Sequence, residues 1–350
     1  MLNASPQLLE LPERVYAHGF SLRKRGLLRC FAAPAAVHFV THGRRLPPGS
    51  TLLLWGSQAV PVGIGEQCRV LRIEDGFLRS VGLGVDLIRP LSWVMDGRGI
   101  YYDATRPSDL EHQLQTLDFP PPLLARAAAL RRRLVACGIT KYSAGRGSWQ
   151  RPAHVAQVIL VPGQVATDGS LRLGAPGIRS NISLLRAVRA ANPSGYVLYK
   201  PHPDVSAGLR APGEGDGLAA LWCDEIVTDV PMGELLRQVD EVHVLTSLSG
   251  FEALLRRKIV VCYGLPFYAG WGLTRDILSI TRRTRRLTLD ELVAGALITY
   301  PRYVSRANSG PSTAEAAVDE LLAWRAEVAS RRRPWQGLWR SVLRAAVGCP

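Results

Sequence analysis

VAQVILVPGQVATDGS (155–170), YVLYKPHPDV (196–205), EVHVLTSLSGFEALLRR (241–257) and IVVCYG (259–264) decide how this chain folds. Each stretch opens on a short run of Val, Ile, Leu or Tyr, apolar at successive positions and too short for a helix. Such a run suits a strand covered on both faces. Between and after these runs the apolar spacing turns helical, in SLLRAVRAA (183–191), GELLRQV (233–239) and GFEALLRR (250–257). Strand, helix, strand, repeated, predicts a parallel sheet with helices on both sides.

The same alternation extends toward the N-terminus. AAVHFV (35–40), TLLLWG (51–56) and CRVLRIE (68–74) read as strands; a helix follows Ser108 as N-cap through DLEHQLQTL, and a longer one spans 123–137. SAGRGSWQRPAH (143–154) breaks both periods and is expected to be the interdomain linker. The expected architecture is α/β: two Rossmann-like domains, 1–150 and 151–330, facing a cleft, followed by a basic tail, 331–350. Ligands of such folds bind at the carboxyl ends of the strands.

Composition bounds the partners. The chain has 350 residues, 47% of them apolar, which excludes a mainly disordered protein. No run approaches the roughly 18–20 apolar residues of a membrane span, and the first twenty residues lack a basic segment followed by an apolar core. A cytoplasmic chain is expected. Six scattered cysteines without a CxxC point away from a disulfide framework or a zinc site, and no metal is expected. The net charge of +14 is unevenly placed: 19 basic against 11 acidic residues over 1–150, 19 against 18 over 151–330, five against none in the last twenty. An anionic partner is implied for the first half and the tail. Nucleic-acid signatures are missing, so no nucleic-acid partner is expected. In RRRPWQGLWRSVLRAAVG, Trp335, Leu338, Trp339, Val342, Leu343 and Ala346 share one helical face. That pattern fits either a helix lying on an anionic leaflet or a final helix packed on its own protein.

Four clusters at strand ends carry the candidate chemistry. Glu74 and Asp75 follow the strand LRI. Adjacent carboxylates on an extended chain point opposite ways, so one can serve a site while the other pairs with Arg72 or Arg79. Gln164 to Ser170 follows VILVPG and offers Asp168 as nucleophile, base or simple turn residue. In Lys200-Pro201-His202-Pro203 the two prolines stiffen a strand-end histidine, which suits a phosphate. Thr246, Ser247, Ser249 and Gly250 open a helix, whose free N–H groups favour an anion, while one of them would suffice as a cap. The third and fourth clusters together suit a nucleoside monophosphate leaving group. No P-loop and no GxGxxG after a first strand competes with them.

RIEDGFLRSVGLG (72–84), PLSWVMDGRGIYYDATRPSDLE (90–111), VPGQVATDGS (161–170), YKPHPDV (199–205), TSLSGFEALL (246–255) and YGLPFYAGWGLTRD (263–276) resemble the KpsC-type capsule polysaccharide β-Kdo transferases, in one module, from about residue 15 to residue 322. The resemblance implies a GT-B-like, retaining transferase that takes Kdo (3-deoxy-D-manno-octulosonic acid) from CMP-Kdo without a metal. The acceptor it implies is an anionic glycolipid, a Kdo linker on (lyso)phosphatidylglycerol, at the cytoplasmic face of the inner membrane, with a companion Kdo transferase as partner. Carried onto this sequence, it makes Asp168 the nucleophile and Glu74 or Asp75 the acid/base, with the two roles exchangeable. His202, Pro203, Ser247 and Ser249 would hold the CMP phosphate, with Gln164 and Ser170 beside them. Glu252 would accept from the ribose hydroxyls, and Lys200 and Arg79 would meet the Kdo carboxylate or a charged acceptor. Two other readings stay open: a non-catalytic module that binds lipid-linked saccharide in an export assembly, and a transferase for another CMP-activated ulosonic acid.

Overall fold

The computed structural model describes residues 9–41, 45–64, 67–80, 89–141, 145 and 147–330. The amphipathic reading of 331–350 and the end of the 72–84 motif lie outside the described residues. Among the described residues, no helix is long and apolar enough to cross a membrane.

The described residues form two compact units. The first is drawn from Met1–Arg79, Arg89–Arg131 and Asp290–Glu320, the second from Ser80–Ile88, Arg132–Leu289 and Leu321–Pro350. In the first, five strands come early: β1 (Arg14–His18), β2 (Ala36–Phe39), β3 (Thr51–Trp55), β4 (Arg69–Asp75) and β5 (Ser92–Asp96). The second holds β6 (Val158–Pro162), β7 (Tyr196–Lys200), β8 (Glu225–Ile226), β9 (Glu241–Val244), β10 (Ile259–Cys262) and β11 (Arg275–Asp276). The chain then returns to the first sheet with β12 (Pro301–Val304) and β13 (Pro311–Ser312).

The first sheet runs β13-β12-β5-β4-β3-β1-β2. Strands β1 to β4 pair in parallel, whereas β5 lies antiparallel to β4, and β12 antiparallel to β5. The wholly parallel sheet expected from sequence is thus corrected to a mixed one. The reversal is fixed by the register, Arg72 facing Asp96 and Asp75 facing Trp93. The helix Leu22–Ala32 turns Leu28, Phe31 and Ala32 onto this sheet, where Phe31 stacks on Trp93 with ring centroids 4.6 Å apart. Offset aromatic pairing of this kind stabilises beyond the area it buries.

The second sheet, β11-β10-β9-β6-β7-β8, is parallel throughout. All of Val158–Pro162 is buried, as a strand covered on both faces must be. The helix Asn181–Ala191, capped by Ser180, lays Ile182, Leu184, Leu185 and Val188 into a core with Ile159, Val161 and Val197.

The division of the chain also differs from the expected single crossing at 143–154. Within that stretch Trp149 is buried and its indole donates to Glu225 Oε2 at 2.9 Å. Arg151 binds Asp240 at 2.9 Å. These contacts fasten the stretch to the second sheet, and the change of unit falls instead inside the helix Pro121–Ala136. Gly and Ser broke the periodicity, but side-chain anchors decide whether such a segment is a linker.

In the first unit Asp96 ends β5 wholly buried. It accepts from the backbone N–H groups of Arg98, Gly99 and Asp109 and from the Tyr300 hydroxyl at 2.8 Å. Burial, with Asp109 nearby, pushes its carboxyl up to about 6. A raised folded-state value means the ionised form is the costly one, so stability falls as pH rises from about 4 through about 6. Tyr300 donates to the ionised form and limits that loss. Tyr300→Phe should therefore lower stability at pH 7 by about 1–2 kcal/mol in urea denaturation and steepen the fall between pH 4.5 and 6.5.

Candidate functional site at the switch point of the second sheet

From β6 the strand order runs outward in both directions, to β7 and β8 on one side and to β9, β10 and β11 on the other. The switch lies between β6 and β9, and there the connections leaving the two carboxyl ends diverge and leave a crevice. The residues just past these ends are tied together. Gln164 Oε1 accepts from the Thr246 backbone N–H at 2.9 Å, and its amide nitrogen donates to Thr246 Oγ1 at 3.0 Å and Ser170 Oγ at 3.3 Å. Asn181 clasps the Gln164 backbone from below, accepting from its N–H and donating to its carbonyl. Gln164, expected among the ligand contacts, is thus a buried brace between two strand-end loops, and Ser170 is part of the same network.

Gly163 makes the close approach possible. A Cβ there would stand 2.8 Å from the Tyr199 hydroxyl and 3.2 Å from the His202 nitrogen, so only glycine lets the β6 loop lie against the Pro-His-Pro turn after β7. Asp168 caps the short helix Gly169–Gly174, its Oδ1 accepting from the Ser170 N–H at 3.0 Å. The residue is exposed, and Oδ2 takes no hydrogen bond from the described residues. His202 is near enough for the Asp168 charge to act on its imidazole.

His202 is mostly buried and caps the turn Pro203–Ser206, with Pro203 as its first residue; Nδ1 accepts from the Asp204 N–H at 3.2 Å. Burial, partly opposed by Asp204 and Asp168, holds the imidazole below its ordinary range. The ring is then neutral at pH 7. With Nδ1 accepting, the proton is assigned to Nε2, which makes that nitrogen a donor. Lys200 is placed elsewhere: its ammonium is buried against the Thr228 carbonyl at 3.1 Å, and burial lowers it to about 8.

Past β9, Ser247 caps the helix Leu248–Leu255 by accepting from the Ser249 N–H at 3.3 Å. Gly250 lies under the Tyr268 ring, where a Cβ would collide with the phenol, and Tyr268 donates to the Ser247 carbonyl. This fixes the helix start beside the Gln164 brace. Glu252 points inward: Oε1 accepts from the Lys141 N–H at 2.5 Å, and burial pushes the carboxyl up to about 6. It anchors the 141 region to the helix, a role its place in the TSLSGFEALL motif did not disclose.

Glu74, Asp75 and Arg79 belong to the first unit, at the carboxyl end of β4. Asp75 Oδ2 binds Arg79 Nε at 2.7 Å and Oδ1 accepts from the Trp93 indole at 3.1 Å. Arg72, the alternative partner, instead donates to the carbonyls of Gly56 and Gln58. Glu74 Oε1 accepts from the Asp75 N–H. The two carboxylates thus differ in environment, Asp75 being held by two donors, one of them charged. A cavity of about 630 Å³ in this unit opens at the opposite end of β4, beside Arg69, His112 and Tyr300, and is not part of this constellation.

Residues 57–136 and 119–305 match the family described as capsule polysaccharide biosynthesis protein. The chain belongs to that family. Among its relatives, the capsule polysaccharide modification protein LipA of Neisseria meningitidis serogroup A is 43% identical over 323 residues, 89% of this chain and 46% of LipA. The lipopolysaccharide-processing protein LpsZ of Rhizobium meliloti is 43% identical over 66% of this chain and 54% of its own length. The chain therefore spans about half the length of these family members. Two solved structures from Thermosulfurimonas dismutans are similar. KpsC, beta Kdo 2,7 transferase, has 38% identity and a TM-score of 0.73, covering 89% of this chain and 100% of that one. KpsC, beta Kdo 2,4 transferase, has 31% identity and a TM-score of 0.77, covering 88% and 98%. The α/β, GT-B-like class expected from sequence is the class of these structures.

The brace makes one stability prediction for this family member. Gln164→Ala leaves the Thr246 N–H and the Thr246 and Ser170 hydroxyls without the side chain that binds them and should lower stability by about 1–3 kcal/mol, read by chemical denaturation. Thr246→Val, which removes only the hydroxyl, should cost less.

Proposed function

We propose that this chain is a retaining β-Kdo glycosyltransferase, moving Kdo from CMP-Kdo onto the Kdo linker of a (lyso)phosphatidylglycerol primer for capsule assembly. The observation that carries this reading is the convergence at the switch point: His202, the start of the helix Leu248–Leu255 and Asp168 all stand past the ends of strands β6, β7 and β9. The similarity to two Kdo transferases supports the choice of sugar.

The leaving group in this reading is cytidylate. The Nε2–H of a neutral His202 donates to its phosphate, and the N–H groups and hydroxyls at Ser247 and Ser249 add the positive end of the helix dipole. These donors are in place before the reaction and need no reorganisation as charge builds on the phosphate. Asp168, with one oxygen engaged by its cap and the other available, attacks the anomeric carbon, expels CMP and forms a glycosyl ester. Glu74 or Asp75 deprotonates the acceptor hydroxyl, which displaces Asp168; two inversions restore the β configuration. Both carboxylates stay candidates for this step, and Asp75 is ion-paired with Arg79. No metal takes part. The basic first half favours an anionic glycolipid at the cytoplasmic face of the inner membrane, where the chain works as a peripheral protein beside a companion Kdo transferase.

Purified protein given CMP-Kdo and a Kdo-primed lipid should release CMP in the presence of a chelator. Asp168→Ala should abolish release while circular dichroism and the melting temperature stay near those of the wild type. His202→Ala, which removes one donor to the leaving phosphate, should lower kcat/KM by roughly 10²-fold, about 3 kcal/mol. CMP-Kdo binding without CMP release on any acceptor would replace this reading with a non-catalytic saccharide-binding module. Turnover of CMP-sialic acid in place of CMP-Kdo would change the donor.

A further inference from the structure

Lys24 is the third residue of the helix Leu22–Ala32, in the run LRKRG. Its ammonium lies 3.1 Å from the centroid of the Trp55 indole, at the carboxyl end of β3. The indole is held on its edges, by Phe20 at 6.1 Å and Trp93 at 5.2 Å between ring centroids, so the platform beneath the cation is fixed. Among the described residues no oxygen accepts a hydrogen bond from this ammonium. Glu74 and Asp75 are within electrostatic reach, yet neither forms an ion pair with it; Asp75 is taken by Arg79. Burial pulls the lysine below its ordinary value, the sign of a cation partly stripped of water. The group is nonetheless only half-buried and so open to a ligand.

An ammonium resting on a π-face is attracted by its charge and keeps outward N–H donors that an incoming acceptor can take up. The acceptor that suits a compact cation beside a proton-accepting carboxylate is an oxyanion on the molecule whose hydroxyl is deprotonated there. We propose that Lys24 is a specificity-determining residue of the acceptor site, binding the carboxylate of an acidic acceptor sugar and thereby holding its hydroxyl against the Glu74–Asp75 pair. This inference rests on the transferase reading above and adds to it the reason a chain of this kind selects an acidic acceptor over a neutral one. Lysine fits the task as a point charge on a flexible stem, without arginine's planar fork.

The test uses the full chain, CMP-Kdo and two phosphate-free acceptors: a synthetic Kdo glycoside with a free carboxylate, and the same glycoside as its methyl ester. The wild type should prefer the acid to the ester at least tenfold in KM. Lys24→Met, which keeps the stem over the indole, should erase most of that preference through a rise in KM for the acid. Lys24→Arg should restore part of it. A wild type with equal KM for acid and ester overturns the inference without recourse to any variant. So does a Lys24→Met protein that keeps the preference, or one whose defect is a shifted acid limb of kcat with KM unchanged, since Lys24 would then act on the carboxylates and not on the acceptor. Transfer by the wild type with any of these results leaves the transferase reading standing; no transfer to either acceptor overturns both.

Discussion

The structure of the second unit depends on one hydrogen-bonded clasp. Parallel strands that leave β6 in two directions leave their following loops free to part, and Gln164 prevents it by bonding Thr246 and Ser170 from one buried side chain while Asn181 holds its backbone. A buried amide satisfied at both ends is worth far more than its net contribution in water suggests, because each partner is left unpaired if it goes. Around the clasp stand the features that need exact placement: the Gly163 approach to the Pro-His-Pro turn, the Asp168 cap and the start of the helix Leu248–Leu255. The crevice is therefore shaped by covalent chain direction and held by a small polar network.

The first unit uses different means at the ends of its strands. An ion pair and an indole fix Asp75, a π-face carries Lys24, and Glu74 keeps contact with the Asp75 backbone. Two adjacent carboxylates thus acquire separate environments, as alternation along an extended strand requires. Environment, more than residue type, divides proton-accepting from structural roles in such pairs.

Sequence was most legible where periodicity and burial agree. Strands β6, β7, β9 and β10 and the Ser108 cap fall within a few residues of expectation, since apolar runs buried on both faces and a hydroxyl accepting from Glu111 N–H are local facts, whereas the two-residue strands β8 and β11 were not expected. Strand β1 was missed because only Val15 and Ala17 of its five residues are buried, and strand β12, with β13 paired to it, because its pairing with β5 joins segments some two hundred residues apart. The stretch at 143–154 looked like a linker because its anchors, Trp149 and Arg151, bind partners that only the fold brings near. The candidate site divides the same way. His202, Ser247 and Ser249 were visible as strand-end donors, and they stand there. Gln164, Lys200 and Glu252 carry the same motifs, but their side chains hold the scaffold: one at Thr246, one at the Thr228 carbonyl, one at the Lys141 N–H. Lys24 and Trp93 gave no signal in sequence, because a cation on an indole and an indole on a carboxylate are tertiary pairings.

The central claim is that the switch point between β6 and β9 is a cytidylate site. A crystal structure of the protein with CMP bound tests it most directly. The account predicts the phosphate within hydrogen-bond distance of His202 Nε2 and of the N–H groups that open the helix Leu248–Leu255, with the Asp168 carboxylate facing the side from which the sugar would leave. A nucleotide seated away from these residues, or bound equally well by the His202→Ala protein, would contradict it.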